Sequence, residues 1–324
     1  MSGDGATMRA VVFHEHGGPE VLRLEDRWPR PAPRDGEVLV EVRAVALNHL
    51  DIFVRRGMPG VHVELPHISG GDVAGVVAGR GDRVLVDPMV PEGAIGENTQ
   101  GALAEYVAVP EQNLIPLRDG IPFEQAAALP IAYGTAWKLL MDRGQVRAGE
   151  TVLVLGASGG VGTAAVQIAN LAGAEVYAAS SAAGKLERLR ELGAEHLVDT
   201  SQDDWGAKLW QATGKRGVDV VVDYSGRATW PTSIRSLAHG GRLLTCGATS
   251  GYEAVTDLRY VWTREETIIG SDGWTREGIQ TLLELVEAGR ITPVIDRVLP
   301  LEQAREAEEA IERREVFGKV VLTP

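Results

Sequence analysis

The stretch Thr151-Val-Leu-Val-Leu-Gly-Ala-Ser-Gly-Gly-Val-Gly162 decides the fold of this 324-residue chain. Its apolar, β-branched start predicts a strand over Thr151–Leu155. Val161, Ala165, Ile168, Ala169 and Ala172 recur on one face and predict a helix over Gly159–Ala172. Glycines 156, 159, 160 and 162 sit at the junction. A dinucleotide pyrophosphate needs this construction. Missing side chains let the backbone approach the phosphates, and the helix N-terminus presents free N–H groups and a positive dipole. The competing reading is a bare turn of an α/β domain, but the flanking strand and helix are the context the nucleotide motif requires. Gly156, Ser158, Gly159, Gly160 and Val161 are therefore expected to line a cofactor.

Toward the C-terminus, strands are expected at Glu175–Ser180, Val218–Asp223, Arg242–Cys246 and Thr267–Gly270. Helices are expected at Ala183–Leu192, about Thr229–Ala238 and Arg276–Ala288. This alternation predicts a parallel sheet with right-handed crossovers. The end of the second strand bears on the cofactor. An acidic residue there binds the ribose hydroxyls of NAD. This chain has Tyr177-Ala-Ala-Ser-Ser181 followed by Lys185, with no carboxylate at the strand end. Ser180, Ser181 and Lys185 suit a 2′-phosphate, hence NADPH. The alternative makes the serines a helix cap and Lys185 a solvated charge.

Toward the N-terminus the texture changes to short strands broken by Gly, Pro and Asp: Arg9–Phe13, Glu37–Val45, Val73–Ala78, Arg83–Asp87 and Ala104–Val109. Helices are expected at Phe123–Leu129 and about Ile131–Met141. The tail returns to strands at Ile295–Leu299 and Val316–Leu322 around a helix at Leu301–Arg313. The simplest architecture is α/β, with a Rossmann-type parallel sheet domain (residues 122–290) inserted into a β-rich, partly closed barrel domain (1–121 and 291–324). The net charge of −13 argues against a general nucleic-acid or anionic-membrane binder. One cysteine, Cys246, excludes an intrachain disulfide and any multi-cysteine site. Met1–Thr7 is small and polar and reads as an extension rather than a secretory leader. No apolar run approaches a membrane span. A cytoplasmic location is expected.

The chain resembles the medium-chain dehydrogenase/reductase superfamily, closest to its zinc-free quinone oxidoreductase and zeta-crystallin-like branch. The matching pieces include Arg9-Ala-Val-Val-Phe13, Gly36-Glu-Val-Leu-Val40, Ala46-Leu-Asn-His-Leu-Asp51, Gly81-Asp-Arg-Val84, Gly101-Ala-Leu-Ala-Glu-Tyr-Val107, Thr135-Ala-Trp137 and Gly318-Lys-Val-Val-Leu322. The resemblance implies a GroES-like (chaperonin-10-like) barrel for the outer domain. It also implies a homodimer paired through Thr267–Gly270. Zinc-dependent relatives carry cysteine where this chain has Asn48, and Gly-His-Glu where it has Gly70-Gly71-Asp72. Their four-cysteine lobe would fall between Asp87 and Gly101, which holds no cysteine. A catalytic zinc takes three protein ligands, so no metal is expected. The pairs His14/His16 and His62/His67 read as surface or structural residues.

The resemblance places Asn48 and Asp51 beside nicotinamide and substrate. There Asn48 could donate to a carbonyl, and Asp51 could anchor local structure or a ribose hydroxyl. Relatives often have tyrosine at Phe53, so a tyrosine donor is not carried over. His49 is a candidate proton donor because its ordinary pKa is near neutrality; the alternative is a packed or outward ring. Thr135 is expected to hydrogen-bond the cofactor, and Cys246, Gly247 and Ala248 to pass close to it. Thr200 stands where relatives have a tyrosine over the adenosine phosphate. Tyr133 either contacts substrate or fills the interior. The reading is an NADPH-dependent, zinc-independent oxidoreductase that reduces a quinone, enone or aldehyde. Its alternatives are a zinc-free alcohol dehydrogenase or ketone reductase, and a catalytically silent NADPH-binding protein.

Overall fold

The structure, a computed structural model, describes residues 6–324. The expected N-terminal extension falls largely on residues 1–5, outside that range. Its last residue, Thr7, opens the strand Thr7–Val12. Two compact units divide the chain: residues to Ile131 with Ile279–Pro324, and Ala132–Gly278. The first division lies ten residues later than the expected 121/122. The helix Phe123–Ala127 packs on the strands Glu37–Ala46 and Asp72–Val77 and so belongs to the first unit. The second lies twelve residues earlier than the expected 290/291. The end of the helix Arg276–Glu287 is tied to the first unit by a 2.5 Å bond from Arg118 to Glu287.

The second unit is built on six parallel strands. Their spatial order is His196–Asp199, Glu175–Ser180, Thr151–Val154, Val218–Val222, Leu237–Thr245 and Thr267–Gly270. Chain order reverses beside Thr151–Val154, the switch point at which open α/β sheets bind nucleotides. Val152, Leu153 and Val154 are fully buried, as a strand covered on both faces requires. The short strand His196–Asp199 and the helix Trp205–Ala212 are additions to the sequence reading. The helical stretch after Leu129 is interrupted, with wide i→i+5 turns over Leu129–Tyr133 and Lys138–Arg143.

The first unit centres on the strand Glu37–Ala46. One edge pairs antiparallel with Asp72–Val77. The other is shared: Tyr106–Pro110 pairs with its first half and Lys319–Thr323 with its end. The C-terminal strand thus reaches the same strand end as Asp72, because Ala46 pairs with both Val321 and Asp72. Val40, Val42, Val45, Leu103, Val320 and Leu322 form part of the buried core beneath. No helix among the described residues is long and apolar enough to cross a membrane.

Candidate active site

Three neighbouring strands of the first unit end together, and their terminal residues form a buried polar cluster. Asn48 follows Glu37–Ala46 and caps the helix His49–Arg56, Asp72 opens Asp72–Val77, and Lys319 opens Lys319–Thr323. The Lys319 ammonium donates to Asn48 Oδ1 at 2.5 Å and to Asp72 Oδ2 at 3.1 Å. Asn48 Nδ2 donates to Asp72 Oδ2 at 2.8 Å and, more weakly, to the Ala46 carbonyl at 3.3 Å. Asp72 Oδ1 accepts the Ile131 N–H at 2.8 Å. Asp72 is fully buried and Lys319 is 2% exposed. Burial pushes the Asp72 carboxyl up, against the opposing pull of Lys319 and Asn48.

Asp51 lies beside this cluster without joining it directly. Its Oδ2 accepts the Asn48 backbone N–H at 2.7 Å, and its Oδ1 accepts the Gly70 N–H at 2.8 Å. The first contact is helix capping: the carboxylate three residues into the helix closes back on the N-cap. The second ties the helix to the Gly70 turn, where φ is +95°. Burial raises the Asp51 carboxyl to about 6 despite both donors. This geometry gives Asp51 an anchoring role. The Asn48-x-x-Asp51 spacing is a legible capping signal, and the helix it starts was missed by the sequence reading.

His49 is exposed, with its ring 6.3 Å from that of Phe53. Surrounding protein mass and the cations Lys319, Arg314 and Arg56 lower its pKa. The neutral imidazole is therefore favoured. Lys319 is the functional candidate the sequence reading left unassigned. Its signal was present in Gly318-Lys-Val-Val-Leu322, but only pairing between distant strands brings it to Asn48.

In the second unit the glycine loop has the expected close contacts. A Cβ on Gly162 would stand 2.3 Å from the Gly156 carbonyl oxygen, and Gly156 has φ +63°. The helix Gly160–Leu171 begins there with Gly159 as its N-cap. Ser158 and Ser180 share a 3.3 Å hydroxyl bond, and Ser180 accepts the Ala182 N–H at 3.2 Å. Ser181 is exposed and Lys185 half-buried, two and six residues after Ala179, the strand residue whose carbonyl receives the Ala157 N–H. Thr200 donates its N–H to the Ser180 carbonyl at 3.1 Å, so these residues gather at one strand end. Asp199, the register partner of Ser180, turns its carboxylate onto Ser201.

Tyr224 was also missed. It follows the strand Val218–Val222, and its hydroxyl donates to the Gly156 carbonyl at 2.6 Å. The Tyr224 hydroxyl oxygen in turn accepts from the Gly162 N–H. Its backbone carbonyl accepts the Thr249 N–H at 3.1 Å, which ties the glycine loop to the loop carrying Cys246, Gly247 and Ala248. Burial raises the Cys246 thiol to about 12, so it remains a protonated, unreactive thiol. Thr135 is buried. Tyr133 is fully buried, and its hydroxyl accepts from Gln167 at 3.1 Å, which marks it as interior packing of this unit.

Comparison with known proteins agrees with both halves. Residues 34–119 match the alcohol dehydrogenase GroES-like domain, and residues 160–288 match the family described as zinc-binding dehydrogenase. Quinone oxidoreductase of Homo sapiens is 32% identical over 322 residues, covering 97% of each chain. A crystal structure of an NAD-dependent alcohol dehydrogenase is 40% identical with TM-score 0.92, covering 98% of this chain and 100% of that one. The 2-octenoyl-CoA carboxylase reductase CinF, in complex with NADP and 2-octenoyl-CoA, is 28% identical with TM-score 0.88, covering 98% and 87%.

The description of the second family raises zinc, and the residues present do not fit one. Position 48 offers an amide already bonded on both sides. A Cβ on Gly71 would stand 2.7 Å from the Ile95 carbonyl oxygen, so a histidine ligand has no room there. Asp72 is held by an ammonium group. Among the described residues no three His, Cys, Asp or Glu are grouped to hold a metal. With a GroES-like domain, an inserted Rossmann-type sheet and a full-length relative of this kind, the chain belongs to the quinone oxidoreductase branch of the medium-chain dehydrogenase/reductase superfamily and is an oxidoreductase.

Proposed function

We propose that this protein is an NADPH-dependent, zinc-independent reductase of a quinone, enone or aldehyde. The observation that carries the reading is the Asn48–Asp72–Lys319 cluster: Asn48, which stands where the resemblance puts a cysteine ligand in zinc relatives, is a hydrogen-bond donor held between a carboxylate and an ammonium group. When bound, NADPH supplies the hydride. The chain must then stabilise negative charge developing on the acceptor oxygen, and a preorganised donor does so. Asn48 Nδ2 is that donor, exchanging its long bond to the Ala46 carbonyl for the acceptor oxygen. Asp51 fixes the helix on which Asn48 sits. Water or His49 supplies the proton.

The glycine loop and Tyr224 hold the pyrophosphate, Thr135 and the 246–248 loop the nicotinamide half. Ser180, Ser181, Lys185 and Thr200 support a 2′-phosphate, while the neighbouring Asp199 carboxylate is engaged by the Ser201 N–H and hydroxyl. The names of the relatives point both ways on the cofactor, one to NAD and one to NADP, so the preference rests on these residues. Likeness to the NAD-dependent alcohol dehydrogenase favours zinc-free alcohol oxidation as the second reading. The protein is read as a cytoplasmic homodimer, with the edge strand Thr267–Gly270 as the contact.

The test is an acceptor panel run with NADPH and NADH on chelator-treated protein. Quinone or enone turnover with an NADPH preference is expected. Dependence on stoichiometric zinc or a clear NADH preference would overturn the corresponding part. Alcohol oxidation alone would select the second reading, and NADPH binding without turnover would indicate a silent binding protein.

A further inference from the structure

We propose that Lys319 is the positioning residue that makes Asn48 a donor to the substrate. The inference rests on the reading of Asn48 given above. An asparagine amide can face either way, because its oxygen and nitrogen are nearly equal in size. An ammonium group only donates. Lys319 Nζ, 2.5 Å from Asn48, therefore requires Oδ1 on its side, and the Asp72 carboxylate, which only accepts when ionised, requires Nδ2 on the other. The two anchors select one orientation of the amide, with the weakly held N–H of Nδ2 left for an acceptor.

Lys319 is itself fixed. Its strand pairs with Glu37–Ala46 through Val321–Ala46 and Leu322–Val45, and its backbone N–H bonds the Val294 carbonyl at 2.9 Å. The cation also polarises the amide. A charge-assisted bond to Oδ1 draws electron density from nitrogen and strengthens the remaining N–H as a donor. Asn48 thus works with an internal cation behind it.

The competing role for Lys319 is that of a counter-ion to the buried Asp72 alone. The two roles separate when both charges are removed. Lys319→Met alone leaves a lone buried carboxylate and risks misfolding. Asp72→Asn/Lys319→Met carries no such charge, and Asp72→Asn is its reference. If Lys319 orients Asn48, the double variant has kcat for quinone or enone reduction lower than its reference by about 30-fold or more. Its Kd for NADPH, read by fluorescence, stays within about twofold. Adding Asn48→Ala to the double variant then lowers kcat little further, because both changes remove the same donor. Lys319→Arg, which keeps the cation, restores part of the loss. A double variant with kcat equal to its reference, or an undiminished further loss from Asn48→Ala, overturns the proposal. Either result would leave the reductase reading intact; wild-type protein that turns over none of the acceptors would instead overturn that reading.

Discussion

Arg55 shows how single buried residues prepare the site from a distance. It is fully buried on the helix that Asn48 caps. It donates to Glu308 at 2.6 Å, Glu312 at 2.5 Å and the Gly17 carbonyl at 2.6 Å. These bonds clamp the helix His49–Arg56 to the helix Ala304–Glu312. Arg55→Met should cost about 3–5 kcal/mol in denaturant unfolding, since breaking a buried pair strands its partners. Burial raises the Glu308 carboxyl to about 7 even with Arg55 beside it, and Asp51 to about 6. An unfolded glutamate titrates near ~4.3. Between these values the folded chain holds a proton that the unfolded chain has released, so these groups make stability fall as pH rises from about 4 to about 7. Glu308→Gln should gain in melting temperature relative to wild type as pH rises across that window, and a pH-independent difference would refute the assignment. Tyr224→Phe removes the hydroxyl that joins the Gly156 carbonyl to the Gly162 N–H. It should weaken NADPH binding by about 5- to 10-fold, the value of one net hydrogen bond, with kcat little changed at saturation.

At the scale of elements, the strand–glycine loop–helix unit was legible because its chemistry is local. Gly162 answers to Gly156 and Ala157, six and five residues before it. Gly162→Ala places a methyl group 2.3 Å from the Gly156 carbonyl oxygen. It should lower NADPH affinity by at least tenfold while the first unit keeps its fold, as titration and circular dichroism would show. The acceptor side was only half legible. Asn48, Asp51 and the losses at 48 and 71 stand within 25 residues of one another, and the resemblance exposed them. Lys319 lies 271 residues from Asn48 in sequence. Nothing local distinguishes it from any lysine that starts a strand. The helix His49–Arg56 escaped for a different reason: two of its four buried residues, Asp51 and Arg55, are charged and hide the apolar period, and its N-terminal signal, Asn48 to Asp51, reads equally as chemistry. Tyr224 escaped because its hydroxyl crosses from one parallel strand end to the next.

For the whole molecule, the remaining question is what covers the outer edge of the parallel sheet. Thr267–Gly270 pairs only with Leu237–Thr245 among the described strands, so no described strand covers its other edge. Ile268 on that strand is 43% exposed. Tyr252, Val255, Leu258 and Trp262, in the segment just before it, are more exposed still. Leu258 and Trp262 are four residues apart on the helix Leu258–Thr263 and so share a face. An apolar surface beside an open sheet edge is an aggregation hazard unless something caps it. A second copy pairing edge to edge would do so symmetrically, each strand satisfying the other's backbone groups. Sedimentation should therefore give twice the 34.7 kDa chain mass at micromolar concentration. Ile268→Lys puts like charges opposite each other across the two-fold axis and should shift the protein to monomer, with NADPH affinity retained because the glycine loop lies at strand ends rather than on this edge. A wild-type monomer at that concentration would leave the apolar segment in need of another partner.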